Sequence, residues 1–516
     1  MQVQVWIVDF GSQYTQLITR KCRELGHSAH ILTLDETRKL KNEGKRPEAL
    51  ILSGGPESIF DDQNDYNFLF QYENLPVLGL CYGMQLMAQH FGGQVEKGKV
   101  GEYGHSDVRC IDTLLFDYLP KTTRAWMSHS DHVSAVPNGF KTILKSDSEL
   151  IAGIQHESLP ILGLQFHPEV NHTKRGAEYL SYFLNRIAKL ESDWDASHML
   201  DEAIEVVRTV SDDYVLCAFS GGVDSLVAAT LAEKVLGDKL YCFFIDNGLL
   251  RPQDLSHIKL LKKMTTLNIE IVDAKEEFLG NLLGISDPEK KRKMIGKTFI
   301  DIFEKKVHEF ESSHGIKFKH LLQGTLYPDV IESISPHIKG GKSATIKSHH
   351  NVGGLPDRMH LSLLEPLRFL FKDEVRVLGE AMNLTHSWVH RHPFPGPGIG
   401  VRVLGALSAE SIRKVQESDQ IFYEELLSEG QYEHCWQAFT VLLPVKTVGV
   451  KGDARAFEEV ICLRAVNSTD GMTAEWTEFP FHFLAKISRR ITNEVKGVTR
   501  VVYDITSKPP GTIEWE

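Results

Sequence analysis

Residues 75–89 read LPVLGLCYGMQLMAQ. Val77, Leu78 and Leu80 make a short apolar run that ends in a turn, the pattern of a buried parallel strand. Met84, Leu86, Met87 and Phe91 suit one broad face of a following helix, which Gly92-Gly93 stops. Cys81 sits at the seam, with Gly79 before it and Gly83 after it. A residue squeezed between strand and helix is forced to the C-terminal edge of the sheet with its side chain exposed. This is the nucleophile-elbow layout, with cysteine where hydrolases carry serine. A helix N-terminus aimed at the sulfur favours the thiolate. A small buried hydrophobe is the other reading of a free cysteine, and this stretch alone leaves both open.

A nucleophilic thiol needs a base and a group that orients the base. In ILGLQFHPEVNHT, residues 161–173, Ile161, Leu162, Leu164 and Phe166 read as another buried strand, and His167 and Glu169 follow at its end. Residues two apart in an extended stretch face the same way. The carboxylate can therefore hold one imidazole nitrogen while the other faces the sulfur. Taken alone, the pair also fits an exposed loop histidine beside a solvated glutamate. A third strand in ALILSGGPES, residues 49–58, ends in Ser53-Gly54-Gly55-Pro56. Its glycines let backbone N–H groups approach a developing oxyanion.

The segments DFGSQYTQLI, ILSGGP, GLCYGMQ and FHPEV together resemble the class I glutamine amidotransferase domain, over about residues 1–190. The resemblance implies that Cys81 attacks the side-chain amide of glutamine, with His167 as general base and acid and Glu169 orienting it. Gly54 and the backbone of Tyr82 are implied as the oxyanion hole. Gln85 and MSHSDHV, residues 127–133, are implied as the glutamine pocket. Ser130 and His132 depart from the glycine and lysine of similar enzymes, which bears on contacts at that edge and not on the chemistry.

At 516 residues the chain is too long for one ordinary domain. Its 42% hydrophobic and 24% charged residues are those of a soluble globular protein. With 57 Lys and Arg against 69 Asp and Glu the net charge is −12, which argues against a general nucleic-acid coat. No apolar stretch is long enough to span a bilayer. MQVQVWIVDF lacks a basic region and reads as a first strand, not a signal peptide. Seven cysteines without a C-x-x-C pair fit a reducing cytosol and give no zinc framework. The expected localisation is cytoplasmic. Strands alternate with helices up to about residue 188, the pattern of a doubly wound parallel sheet. After the polar stretch KLESDWDASHML a second alternation begins at residue 214. At HPFPGPGIG, residues 392–400, the chain changes character again. The expected fold is α/β: two doubly wound parallel-sheet domains, 1–190 and 191–391, and a smaller α+β domain, 392–516.

The second alternation opens with YVLCAFSGGVDS, residues 214–225. Val215, Leu216, Ala218 and Phe219 suit a strand, Ser220-Gly221-Gly222-Val223-Asp224-Ser225 a loop, and Leu226 to Leu236 an apolar helix. A glycine-rich loop before a helix cradles phosphates on backbone N–H groups, with the helix dipole behind it. The Walker A pattern is absent, and with it the lysine that grips a γ-phosphate. This loop resembles the N-type ATP pyrophosphatases, which transfer AMP to a substrate oxygen and hold the departing pyrophosphate. Leu226 stands where several relatives have a further serine. FFIDNGLLR (243–251), QGTLYPDVIES (323–333) and FKDEVR (371–376) match later segments of that family. The resemblance implies that Lys372 reaches the pyrophosphate and that Asp224 holds Mg2+.

KSHHNVGGLP, RHPFPGPGIGVRVLG, QAFTVLLPVKTVGVKGD and YDITSKPPGTIEWE together resemble the GMP synthase family, and the likeness then spans the whole chain. It implies amination of xanthosine 5′-monophosphate (XMP) by ammonia from glutamine, through an adenylylated purine oxygen. It also implies Mg2+ with ATP, no tightly bound organic cofactor, no nucleic acid or membrane, and a homodimer through the last domain. Lys508 and the 392–400 loop are implied to serve the nucleotide phosphate, and Asp419, Gln437 and Glu514 to contact XMP. As bare residues, the acids equally suit solvated surface charges, and TVLLPV suits core as well as an interface. The loop between 335 and 355, which contains KGGKSATIKSHHNVGG, reads as mobile and as a candidate lid. Two other functions share parts of the pattern. NAD synthetases and nucleobase-thiolating ligases use the same ATP chassis, but with a different glutaminase or with extra catalytic cysteines. A regulatory binding protein would have lost Cys81, His167, Glu169 or the phosphate loop, and all are present.

Overall fold

Short runs of apolar residues account for the strands of the first unit. They are β1 (Val5–Val8), β2 (Ala29–Leu32), β3 (Ala49–Leu52), β4 (Val77–Leu80), β5 (Gln94–Cys110), β6 (Thr122–Ala135), β7 (Phe140–Lys145), β8 (Ile151–His156) and β9 (Ile161–Leu164). The computed structural model describes residues 3–61, 64–334, 360–451, 454–468 and 473–516. The 335–355 loop and KSHHNVGGLP lie outside the described residues. Every residue of β1, β3, β4 and β9 is buried, as expected for parallel strands covered on both faces. The sheet order is β2-β1-β3-β4-β9-β8-β7-β5-β6. The five strands from β2 to β9 pair in parallel. From β9 outward the pairing is antiparallel.

The α/β class is the expected one, with a difference in the first sheet. It is parallel only over five strands and carries an antiparallel wing built from residues 94–156. The reason lies in the sequence period. Along β6, buried Thr123, Ala125, Met127, His129, Asp131 and Val133 recur every second residue, and a period of two makes strands joined by short turns rather than helices.

Residues 200–330 and 360–516 belong to a second unit. Here β10 (Tyr214–Ala218), β11 (Leu240–Asp246), β12 (Ile269–Asp273), β13 (Phe318–Leu322) and β14 (Ser362–Leu364) form a parallel sheet in the order β12-β11-β10-β13-β14. The helix Val223–Leu236 leaves β10 with Leu226, Val227, Ala228, Ala229, Leu231 and Ala232 all fully buried. It starts three residues earlier than Leu226, because Gly222 takes the extended N-cap conformation and Val223, Asp224 and Ser225 make its first turn. The long helix Pro288–His314 is punctuated at both ends. Asp287 caps its start and accepts from the Lys290 N–H at 2.8 Å, Pro288 opens it, and Gly315 at φ +64° closes it.

The third sheet holds β15 (Gln437–Lys451), β16 (Ala454–Asn467), β17 (Glu475–Trp476) and β18 (Val498–Asp504). β16 pairs antiparallel with β15 and β17, and parallel with β18. One hydrophobic core runs through the second unit, from Leu216, Phe243 and Phe303 to Val415, Phe422, Ile461 and Phe483. The expected boundary at residue 392 falls inside it. In TVLLPV, Val441 and Leu442 belong to the interior and Val445 is exposed. Among the described residues no helix is long and apolar enough to cross a membrane.

Candidate active sites

Cys81 lies at the end of β4 with φ +49° and ψ −105°. A non-glycine residue in that region is strained and persists only where its surroundings over-determine it. They do so here. The Cys81 N–H donates to the Leu164 carbonyl at 2.8 Å, and the Cys81 carbonyl accepts from the Met84 and Gln85 amides at 3.1 and 3.2 Å. The helix Tyr82–His90 begins at once, so its N-terminal amides stand behind the sulfur. The turn closes only because two glycines flank it. A methyl group on Gly83 would lie 2.3 Å from the Leu52 carbonyl oxygen, and one on Gly79 would lie 2.6 Å from that of Gly83. Gly83→Ala is therefore expected to cost about 1–3 kcal/mol of unfolding free energy, the range for overpacking, and to lower glutamine hydrolysis as Cys81 is displaced. Urea unfolding and a glutamate-release assay on the variant check both.

His167 and Glu169 follow β9. The Glu169 Oε1 sits 2.8 Å from His167 Nδ1, and both side chains are buried. With Nδ1 engaged, Nε2 remains for the thiol. Burial by itself disfavours the imidazolium. The Glu169 carboxylate and the neighbouring Cys81 outweigh it and hold His167 well above its ordinary value. A folded-state value raised in this way stabilises the protein fully below the unfolded imidazole's value, and the contribution is lost as pH rises through the folded one. In Glu169→Gln the His167 titration is expected to move to lower pH, with glutaminase activity falling. Imidazole NMR across a pH series reads the first effect, and an unchanged midpoint would exclude Glu169 as its cause.

Gly54, at the end of β3, faces this pair. A methyl group there would lie 3.0 Å from His167 Cε1. Gln85 is buried and donates from Nε2 to the Asp131 carbonyl at 2.7 Å, which ties the new helix to β6. Asp131 in turn accepts from the Ser58 hydroxyl at 2.6 Å. Ser130 is exposed and His132 half-buried on the same strand. Two neighbours, Gln165 and Tyr14, were given no role by the sequence reading. Gln165 Nε2 and the carbonyl of Ser128, which is in the expected glutamine pocket, each lie 3.8 Å from Cys81 Sγ. The Tyr14 ring meets the His167 ring edge-on at 5.0 Å. Gln165 sits inside the quoted 161–173 stretch, one residue from a period-two reading. Tyr14 lies in the quoted DFGSQYTQLI segment, 153 residues before His167, and nothing in that segment singles it out.

The second site is the loop after β10. Gly221 has φ +73°, and a methyl group there would lie 2.2 Å from Ile258 Cδ1. Ser220 Oγ and Ser225 Oγ stand 3.0 Å apart, Ser225 donates to the Gly222 carbonyl at 3.0 Å, and the Gly222 amide donates to Ser220 Oγ at 3.3 Å. The two hydroxyls are thus oriented within the loop by each other and by its backbone. Val223 is buried beneath the loop. Lys372, the first residue of the helix Lys372–Ala381, brings Nζ to 3.1 Å from Asp224 Oδ2. Asp224 Oδ1 is buried without a hydrogen-bond partner, which fits a carboxylate that takes a cation. Gly324 closes the far side, where a methyl group would lie 2.9 Å from the Asp224 carbonyl carbon.

A cleft of about 880 Å³ lies in the same unit, with Arg376, His390, Arg391, Trp436, Thr473 and Lys508 on its walls. Arg391 links it to the phosphate loop, reaching the Gly221 carbonyl at 3.5 Å and Asp254 at 2.5 Å. His392 also lines it, stacked on Tyr432 at 3.8 Å, and burial brings its imidazole down to about 4. Lys508 is held in place by paired backbone bonds with Ala474 of 2.7 and 3.0 Å. The other three residues expected at XMP are not on the walls of this cleft; they share a network around Arg402. Arg402 bonds Glu514 at 2.8 and 3.1 Å, and Gln437 donates to Glu514 at 2.9 Å and to the Pro393 carbonyl at 3.2 Å. Asp419 accepts from the Thr440 amide at 3.0 Å, with Arg251 and Arg402 at 3.8 and 3.9 Å. Burial pushes its carboxyl up against the pull of those two cations.

Comparison with known proteins finds close relatives along the full length. A protein of Chlorobaculum tepidum named GMP synthase [glutamine-hydrolyzing] is 50% identical over 99% of both chains. Proteins of the same name from Thermosipho melanesiensis and Aquifex aeolicus are each 48% identical, again over 99% of both. The chain belongs to the glutamine-hydrolysing GMP synthase family. Residues 6–187 match the glutamine amidotransferase class-I family, which spans the Cys81 site. Residues 424–515 match the GMP synthase C terminal domain, which spans Gln437, Lys508 and Glu514.

Proposed function

We infer that this chain makes GMP from XMP with ammonia taken from glutamine. Cys81 attacks the glutamine side-chain carbon, and the oxyanion that forms meets the amides of Gly54 and Tyr82. His167 gives its proton to the departing ammonia and leaves a thioester. It then takes a proton from water, and glutamate is released. ATP transfers AMP to the C2 oxygen of XMP while the pyrophosphate leaves into the loop Ser220–Ser225 under Lys372. Ammonia displaces AMP at C2. Adenylylation is needed because a bare carbonyl oxygen is a poor leaving group. Mg2+ on Asp224 would offset phosphate charge.

The observation that carries this reading is the pairing of two built sites in one chain: a Cys81–His167–Glu169 relay and a phosphate loop closed by Lys372. Residues 1–190 would serve as the glutaminase, 191–391 as the adenylyl-transferring part, and 392–516 as the XMP and dimer part. Lys508, beside the 392–400 loop, suits the XMP phosphate. Asp419, Gln437 and Glu514 are proposed at base and ribose. Val448, Val450 and Phe457, exposed at one end of the β15–β16 hairpin, suit a homodimer. The location is cytoplasmic, with small molecules and no nucleic acid as partners.

The test mixes the chain with Mg-ATP, glutamine and XMP and resolves all nucleotides by chromatography. GMP, AMP and pyrophosphate are expected in equal amounts. Release of AMP and pyrophosphate with a different acceptor while XMP stays untouched would keep the ATP chemistry and discard the substrate.

A further inference from the structure

We propose that Glu380, His386 and His390 form a binding site for a zinc-class divalent cation on the wall of the nucleotide cleft. The fold builds it from one tight connection. The helix Lys372–Ala381 ends with the Leu384 N–H on the Gly379 carbonyl at 3.0 Å and Asn383 at φ +64°. The chain turns back, and the short helix His386–Val389 makes one turn, closed by the His390 amide on the His386 carbonyl at 2.9 Å. Histidines four apart on one turn project the same way. Their rings stack at 4.0 Å, and both reach back to the same oxygen. His386 Nδ1 lies 3.1 Å and His390 Nε2 2.9 Å from Glu380 Oε1.

The ligand atoms of the three residues lie within 4.8 Å of one another. A tetrahedral ion with bonds of about 2.0–2.1 Å sets its ligands about 3.3 Å apart, close to the two nitrogen–oxygen distances seen. Two imidazoles and one carboxylate suit Zn2+ and its first-row neighbours, whereas Mg2+ and Ca2+ prefer oxygen. Glu433 Oε1 lies 3.9 Å from His386 Nε2, the nitrogen left over when Nδ1 binds metal, and adds negative charge beside the cluster without hydrogen-bonding to it.

His386 and His390 both line the cleft, and His390 precedes Arg391, whose guanidinium reaches the Gly221 carbonyl of the phosphate loop. A cation here would pin the segment that joins the two. The site stands apart from the Mg2+ that travels with ATP, and its occupancy does not depend on the identity of the acceptor nucleotide.

The test uses the full chain in a Cys81→Ala background, which removes the thiol as a competing ligand. Co2+ is titrated and read by visible absorption, and Zn2+ affinity is measured by competition with a chromophoric chelator. One equivalent of Co2+ is expected, with intense d–d bands of low coordination. Glu380→Gln is expected to weaken Zn2+ by at least about 10–100-fold, the cost of losing only a partner that orients a ligand, and the His386→Ala/His390→Ala pair to abolish the bands. Zn2+ should raise the melting temperature of the parent chain and not of the variants. Unchanged binding in Glu380→Gln and in the double variant would overturn the site, as would absence of Co2+ binding in the parent. If the double variant does not fold, the near-isosteric Glu380→Gln decides alone.

Discussion

Cys81→Ala is expected to lose glutamine-dependent GMP formation by on the order of 10⁴-fold or more, the scale on which an essential nucleophile is felt. The same variant should make GMP from ammonium at a rate within about twofold of the parent, since Cys81 and the phosphate loop belong to different units and share no residue. The alanine removes only the sulfur. The strained turn is set by the amide and carbonyl bonds of residue 81 and by Gly79 and Gly83, so His167 and Glu169 keep their places. A parallel assay with glutamine and with ammonium measures the ratio. Loss of both reactions would mean that Cys81 acts through the fold and not as a nucleophile. Retention of both would remove it from the reaction.

Lys372→Met is expected to slow pyrophosphate release about 10²–10³-fold, the range found when one preorganised charge is taken from a developing anion. The ion pair with Asp224 is 39% and 28% exposed. As a structural contact it is worth at most about 1 kcal/mol, so the variant should melt close to the parent. Activity and stability therefore separate the two roles of this lysine. A solvated lysine at a helix start would leave pyrophosphate release untouched, and a purely structural one would shift melting and rate together. Glutamine hydrolysis measured without nucleotides should be unaffected, because Lys372 lies in the other unit.

Much of the architecture was legible in local patterns. The apolar runs of β3, β4, β9 and β10 were readable because strands buried on both faces must be apolar throughout. Cys81, Gly54, His167 and Ser220–Ser225 were readable because each sits where such a run stops, and a parallel sheet presents its ligands at that edge. The antiparallel wing was missed because the reading weighed helix–strand alternation above the period of two in β6. The start of the helix at Val223 was missed because Gly222 reads as loop in sequence, while in the fold it is an N-cap.

By itself, the order of residues along the chain marked the two candidate sites: a thiol at a strand end with a histidine–carboxylate pair after another, and a hydroxyl-rich glycine loop ahead of an apolar helix. Those are local consequences of backbone geometry and side-chain type. Tertiary structure alone decided the pairings across distance. It put Lys372 on Asp224, 148 residues away, and Gly324 against the first turn of the helix that follows the loop. It tied Glu514 to Arg402 and Gln437. Such contacts are made by packing one element on another around a shared core. No period or motif encodes them, because the energy that selects them comes from burying surfaces that are remote in the chain.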